Sequence, residues 1–406
     1  YHFQDILGNV QEHTAYQLHE PASNDYAVRS ATRLASWSLN QVLQRFTHDH
    51  VLLEGMYAGL PWFFQLWSRD ELISLGGLLT QLKQRPELKQ TCKDILKRYM
   101  DQMSILHELP NRFPPSDLGS VDAFGWWAVR FEQFFHLLQK EGDLLDYFTI
   151  EELNTWYEIL YISLEHAKDT RGQVVGKTML FANKVKETWM DTTYGDDGRP
   201  GLRVEIQALY ASVYRALVLL ADYLPAKDSS QLKHEREEFL RMFRSRFVVD
   251  GKLIDGYHER PDATPRPNIF LAAYAAPELC SKNVWVASFE HLIEELWLSW
   301  GGFATLPKTH PLFQPTYTGE EDKSYHRGDS WYFVNNIAGI VLERYGFDES
   351  RAILRAGMRD LHEFGFAGHG SELSSASIPG GQASPVQAWT MATFLELVDT
   401  VYQREA

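Results

Sequence analysis

Twelve stretches of this sequence carry apolar residues at helical spacing, and the connections between them alternate between short and long. The expected helices lie near 27–48, 70–83, 88–105, 121–139, 150–167, 203–223, 229–246, 268–276, 286–296, 330–345, 348–364 and 383–401. The sixth is typical: Ile206, Leu209, Val213, Leu217 and Leu220 form one stripe, with Arg215 and Asp222 facing away. Connections after the even-numbered helices are short, around 84–87, 140–149, 224–228, 277–285 and 346–347. Connections after the odd-numbered helices are long, around 49–69, 106–120, 168–202, 247–267, 297–329 and 365–382. Antiparallel neighbours put alternate connections at opposite ends. All six long connections are therefore expected at one end. Long loops without regular structure are uncommon unless functional, so six together describe a rim around a pocket.

The pattern predicts an all-α fold, an (α/α)6 toroid of six helical hairpins with an inner ring inside an outer ring. An α-solenoid is the rival architecture, but no self-similarity recurs at a fixed period. A length of 406 residues allows two or three domains. No Pro/Ser-rich linker or low-complexity tract divides the chain, so it reads as one domain over 1–406, with 1–26 as a lead-in. Strand signals are few: 173–177 and 248–254 read as short hairpins, the second with an Asp250-Gly251 turn.

Composition narrows the partner. The formal charge is −15, from 39 basic and 54 acidic residues. Such a surface repels phosphate backbones and anionic lipid, so neither a nucleic-acid nor a membrane partner is expected. No apolar run of about 20 residues is seen to cross a bilayer. Two cysteines, Cys92 and Cys280, rule out a disulfide framework or a cysteine metal site. They read as reduced buried thiols, which with no signal peptide in view points to the cytoplasm. HExxH, GxSxG, GxxxxGK[ST] and GxGxxG patterns are all missing, so no metal and no cofactor is expected. Oligomeric state is not readable.

The long connections carry the chemistry. Gly59 to Asp70 holds Trp62, Trp67 and the pair Arg69-Asp70. Asp70 either caps the next helix, with Arg69 a surface ion partner, or the two form a charged fork for sugar hydroxyls. In the second connection Asp122 and Trp126 either serve cap and core or line the pocket. The third holds Glu187-Thr-Trp-Met-Asp191, then Glu205 on the apolar stripe of the next helix. A carboxylate there costs several kcal/mol unless paired, so Glu205 has an Arg or Lys partner or reaches a polar pocket. The fourth, Tyr257 to Pro267, is stiffened by three prolines. The fifth ends Tyr325-His326-Arg-Gly-Asp-Ser-Trp331, and the sixth has Glu372 as the lone acid of a Gly/Ser/Ala stretch before Gln387-Ala-Trp389. His326 and His369 read as hydrogen-bonding residues. Tryptophan with carboxylate is the vocabulary of a sugar site: flat rings cover the C–H face of a pyranose and carboxylates bind its hydroxyls. Glycoside hydrolysis then needs two carboxyls, one protonated and one ionised.

Taken in order, Pro61-Trp-Phe…Trp67-Ser-Arg-Asp70, Thr188-Trp-Met-Asp191…Val204-Glu-Ile-Gln-Ala-Leu209, Gly301-Gly…Thr305-Leu, Tyr325-His326-x-Gly328-x-x-Trp331 and Ser371-Glu372…Gln387-Ala-Trp389 resemble the amylo-α-1,6-glucosidase part of glycogen debranching enzymes. The likeness extends to glucoamylase-like (α/α)6 glycosidases and runs from about residue 30 to the end. It implies an inverting, exo-acting α-glucosidase that takes an α-glucan or oligosaccharide. It makes Asp191 the general acid and Glu372 the general base, and has Trp67, Arg69 and Asp70 hold the terminal glucose. It brings Asp122, Glu205, His326, Trp331 and Trp389 in as further substrate contacts, and Trp126 and Trp189 are read as substrate-binding rings beside them. Trp189 and Met190 are expected to keep Asp191 protonated by making its site partly apolar. The chain departs from the family pattern after Asp191, where Thr192 to Gly201 replaces the usual Thr-Pro-Arg on the leaving-group side. Trehalose, sucrose, glucosylglycerate and isomalto-oligosaccharides are the alternative substrates, and a carbohydrate-binding protein without catalysis is the alternative function.

Overall fold

A computed structural model describes residues 23–48, 51–115, 119–195 and 197–402. Most of the expected lead-in lies outside these. Twelve long helices follow in order: α1 (Tyr26–Val42), α2 (Ser68–Leu79), α3 (Leu88–Leu106), α4 (Ala123–Glu141), α5 (Ile150–Arg171), α6 (Val204–Tyr223), α7 (Ser230–Phe247), α8 (Asn268–Ala275), α9 (Lys282–Leu296), α10 (Tyr332–Tyr345), α11 (Glu349–Arg359) and α12 (Ala388–Tyr402). Local signals set their ends. Asp25 accepts the Ala27 N–H at the start of α1, and Thr149 accepts the Glu152 N–H at the start of α5. Gly142 and Gly346 close α4 and α10 in the left-handed conformation.

The even-numbered helices form a closed ring, α2–α4–α6–α8–α10–α12 and back to α2, and the odd-numbered helices pack outside it. This is the (α/α)6 toroid. Burial follows the ring. Every residue of α8 is buried, whereas α7 buries one stripe only. Close approach inside the ring needs small residues. A Cβ on Gly77 of α2 would come 2.4 Å from the Ala392 Cα of α12, and one on Gly125 of α4 would come 2.2 Å from the Leu209 Cβ of α6. Contrary to expectation, α6 is long and apolar enough to cross a bilayer, yet 83% of its most apolar window is buried in the ring.

Small strand pairs stitch the long connections together at one end. Leu66–Trp67 pairs with Arg112–Phe113, Ser330–Trp331 with Leu373–Ser374, and Gly59–Leu60 with Val386–Gln387. A five-stranded sheet joins the third and fourth connections. The two expected hairpins are present as 172–175 with 178–183 and 248–249 with 252–253. Three boundaries differ by five residues or more. The first helix stops at Val42, and Leu43–His48 instead pairs with Val51–Met56. Helix α11 ends at Arg359 and Asp360–Phe364 continues as a π turn. The last helix starts at Ala388, because Val386 and Gln387 are already committed to the strand pair with Gly59–Leu60.

Candidate active site

Inner-ring helices begin at the stitched end, so their first residues face a shared cavity. Its lining includes Trp67, Arg69 and Asp70 from the start of α2, Trp189 and Asp191 from the third connection, Tyr325 and Trp331 from the fifth, and Glu372, Gln387 and Trp389 from the sixth. Its volume is about 150 Å³. A larger open groove of about 830 Å³ lies between the 43–56 hairpin and α3. That groove contains none of the expected site residues, and its charges pair among themselves or with neighbours, as Lys97–Asp101 and Arg98–Glu71 do.

Arg69 is the hub of the cavity. Its Nε donates to Asp122 Oδ2 at 2.7 Å and its Nη1 to Asp191 Oδ2 at 3.3 Å. Asp122 is fixed in turn by the Ser120 hydroxyl at 2.8 Å. Asp70 lies in the first turn of α2 with Trp67 in the capping position, so it is not the cap. The Gln387 amide donates to it at 3.4 Å. Glu372 is clamped on both oxygens. The Tyr325 hydroxyl donates to Oε1 and the Ser384 N–H to Oε2, the latter at 2.9 Å.

Electrostatics separate the three carboxyls. Burial pushes Asp70 up to about 8, with Arg69 pulling down and Asp191 and Glu372 pushing further up. Burial likewise raises Glu372 to about 7, against the hydrogen bonds from Tyr325 and Ser384. Burial also acts upward on Asp191, but His326 and Arg69 outweigh it and hold the carboxyl below its ordinary range. The expectation that Trp189 and Met190 keep Asp191 protonated is therefore wrong for the free protein. The Asp191 side chain is 35% exposed, and His326 Nε2 stands 3.5 Å from its Oδ1.

The aromatic walls interlock. The Trp189 ring meets His326, Trp331 and Phe333 edge-on, and its Nε1 donates to Asn268 at 2.8 Å. Trp331 stacks on His326 at 5.1 Å and Trp389 on Phe333 at 4.2 Å. Several buried polar atoms around the cavity have no hydrogen-bond partner among the described residues: Trp67 Nε1, Trp389 Nε1, Arg69 Nη2 and Gln387 Oε1. Buried polar groups are rarely left so, and hydroxyl groups are chemically suited to pair with them.

Eight expected residues thus line the cavity: Trp67, Arg69, Asp70, Trp189, Asp191, Trp331, Glu372 and Trp389. Asp122 and His326 stand one layer behind, holding Arg69 and contacting Asp191. Trp126 does not reach it. Its ring packs in the core against Tyr274 and under Arg130. Glu205 does not reach it either. Arg199 Nη1 donates to its Oε1 at 2.9 Å inside a buried cluster with Asp255 and Arg203, so the carboxylate has the arginine partner that was the alternative reading. Phe63, Tyr325 and Gln387 line the cavity and were not singled out, although all three lie within the motifs quoted above.

The family model for amylo-α-1,6-glucosidase matches residues 28–396. The chain belongs to the amylo-α-1,6-glucosidase family. It is accordingly a glycoside hydrolase, and its substrate is a carbohydrate. No curated protein matches the sequence. Solved structures do match at the level of the fold. A glycosidase variant in complex with glucose superposes with a TM-score of 0.66 at 12% identity, over 93% of this chain and 99% of that one. A family GH63 mannosylglycerate hydrolase from Thermus thermophilus, bound to Tris and D-glycerate, superposes with a TM-score of 0.62 at 15% identity, over 89% and 98%. In this member of the amylo-α-1,6-glucosidase family, Asp70, Asp191, Glu372 and the rings of Trp67, Trp189, Trp331 and Trp389 meet in the cavity at the N-terminal ends of the inner helices.

Proposed function

We propose that this protein is an inverting, exo-acting α-glucosidase that hydrolyses glucosidic bonds of an α-glucan or oligosaccharide, as a debranching glucosidase does. The observation that carries the reading is the pairing, in one cavity of about 150 Å³, of a part-exposed carboxyl, Asp191, with a deeply buried and doubly clamped one, Glu372. A cavity of that size takes one terminal sugar and leaves the rest of the substrate outside. Arg69, Asp70 and the unpartnered indole N–H groups of Trp67 and Trp389 bind its hydroxyls. Asp191 protonates the glycosidic oxygen. Glu372 removes a proton from a water on the opposite face, and β-glucose leaves.

Protonation in the free site runs the other way, with Glu372 near 7 and Asp191 held low. Substrate binding resolves this. In the free protein near pH 7 Asp70, raised to about 8, is protonated, and Glu372, raised to about 7, is protonated about half the time. A sugar over Asp191 desolvates that carboxyl and takes over the Arg69 contact, which raises its proton affinity. The proton then belongs on Asp191, leaving Glu372 ionised as a base, as coupled carboxyls allow. The titration order of the free site favours one second reading, in which Glu372 is the acid and Asp191 the base. The substrate class is tested by incubating the protein with α-1,6-branched dextrin, isomaltose, maltose, trehalose and sucrose. Glucose release from the first two supports the debranching reading, and release from trehalose or sucrose alone overturns it.

A further inference from the structure

The cavity opens on the Asp191 side, since Asp191 is 35% exposed and Glu372 is 2% exposed. Whatever leaves with the glycosidic oxygen therefore passes the residues that follow Asp191. There the buried Arg327 joins two segments. Its Nη2 donates to the Thr192 carbonyl at 2.8 Å, and its Nη1 donates to the Asp322 carbonyl at 2.9 Å and to Thr192 Oγ1 at 3.3 Å. One guanidinium thus fixes Asp322 beside the residue next to Asp191. Asp322 holds φ at 53°, a left-handed conformation that Asp tolerates better than most residues. Tyr194 is 37% exposed on the same side, with the Lys323 ammonium 5.8 Å from its ring.

We propose that Asp322, with Tyr194, forms the leaving-group side of the site and selects uncharged sugars or polyols over leaving groups that carry a carboxylate. The inference rests on the glucosidase reading. The carboxylate of Asp322 accepts hydrogen bonds from hydroxyls, and the Tyr194 ring covers an apolar sugar face. A carboxylate on the leaving group would face Asp322, Asp191 and Glu372 together. Two of the cations nearby are engaged elsewhere: Arg327 Nε faces Asp197 Oδ2 at 2.9 Å, and Lys323 pairs with Glu321. Burial and Asp191 push the Asp322 carboxyl above its ordinary range, while Arg327 and Lys186 pull the other way. Glu372 in turn feels Asp322, so the mouth and the buried carboxyl share one field.

The test compares two α-glucosides that differ only in charge, glucosylglycerol and glucosylglycerate. Their binding is measured by calorimetry on the Glu372→Gln protein, so that affinity is read without turnover. The neutral glucoside is expected to bind about tenfold or more tightly, the size one like-charge contact supplies near a surface. Adding Asp322→Asn, which keeps the left-handed backbone accessible, should close most of that gap. Equal affinities, a gap that Asp322→Asn does not move, or no binding of the neutral glucoside overturns the proposal. The glucosidase reading fails by a different result, namely no glucose from isomaltose with the unmodified protein.

Discussion

Asp191 Oδ2 lies 3.3 Å from Arg69 Nη1, so the proposed proton donor is ion-paired in the free protein. Arg69 is itself anchored through Asp122 at 2.7 Å, which makes this contact a fixed feature of the site. Two roles are compatible with such a carboxyl, and a substrate whose leaving group needs no proton separates them. α-Glucosyl fluoride is such a substrate. Asp191→Asn should lose about 10²- to 10⁴-fold on isomaltose, the usual worth of general acid catalysis, and far less on the fluoride. Glu372→Gln should lose activity on both. The opposite pattern assigns the acid to Glu372.

The buried carboxyls also predict how stability depends on pH. Asp360 accepts the Ser371 N–H at 2.7 Å beneath the loop that presents Glu372. Burial raises it to about 7, and raises Asp329 to about 7 as well. These folded-state values lie above the unfolded ones, so the native state holds more protons between about pH 4 and 7. Stability from these groups is complete below pH 4 and is lost as pH rises through 7. The Tm at low ionic strength should fall between pH 5 and pH 8. Asp360→Asn should flatten that slope, since an amide keeps the acceptor without titrating.

Glu205 supplies a contrast between structural and binding roles. Its partner Arg199 is buried with it, and the pair is part of a charge-balanced cluster. Removing one member of a buried pair leaves an uncompensated charge, at about 3–5 kcal/mol. Glu205→Ala should therefore lower the unfolding free energy measured by urea denaturation by that amount. The KM of the protein that remains folded should stay unchanged.

Trp389 should behave in the reverse way. Its Nε1 is buried without a partner among the described residues. Trp389→Phe removes an unsatisfied donor and keeps most of the ring, so the free protein should be no less stable. Glucose affinity should fall by about 1 kcal/mol, the net worth of a typical hydrogen bond. Thermal unfolding and calorimetry with glucose check the two halves.

The ring was legible because its signal is local. Periodicity shows the stripe on α6, and alternating connection lengths show which ends meet. Residues 43–48 were not legible as a strand, because Leu43 and Phe46 continue the apolar spacing of α1 and the pairing with Val51–Met56 is tertiary. Trp126 and Trp389 both lie near the start of an inner helix, yet only Trp389 lines the cavity. Helix rotation decides that, and sequence does not display it. For Glu205 the sequence leaves an arginine partner and a substrate role both open, because Arg199 sits on a loop with φ at 46° whose path only the fold defines. The protonation of Asp191 is not legible from its sequence neighbours, Trp189 and Met190, because its neighbours in space, His326 and Arg69, hold it low.

The central claim is that water attacks from the Glu372 side while the bond to the leaving group is protonated from the Asp191 side. Proton NMR of the glucose released from methyl α-isomaltoside, whose leaving group has no free anomeric centre, followed before mutarotation, tests it most directly. The account predicts the β-anomer at early times, with both Asp191→Asn and Glu372→Gln producing it at least about 10²-fold more slowly. Release of α-glucose from that α-linked substrate contradicts the account.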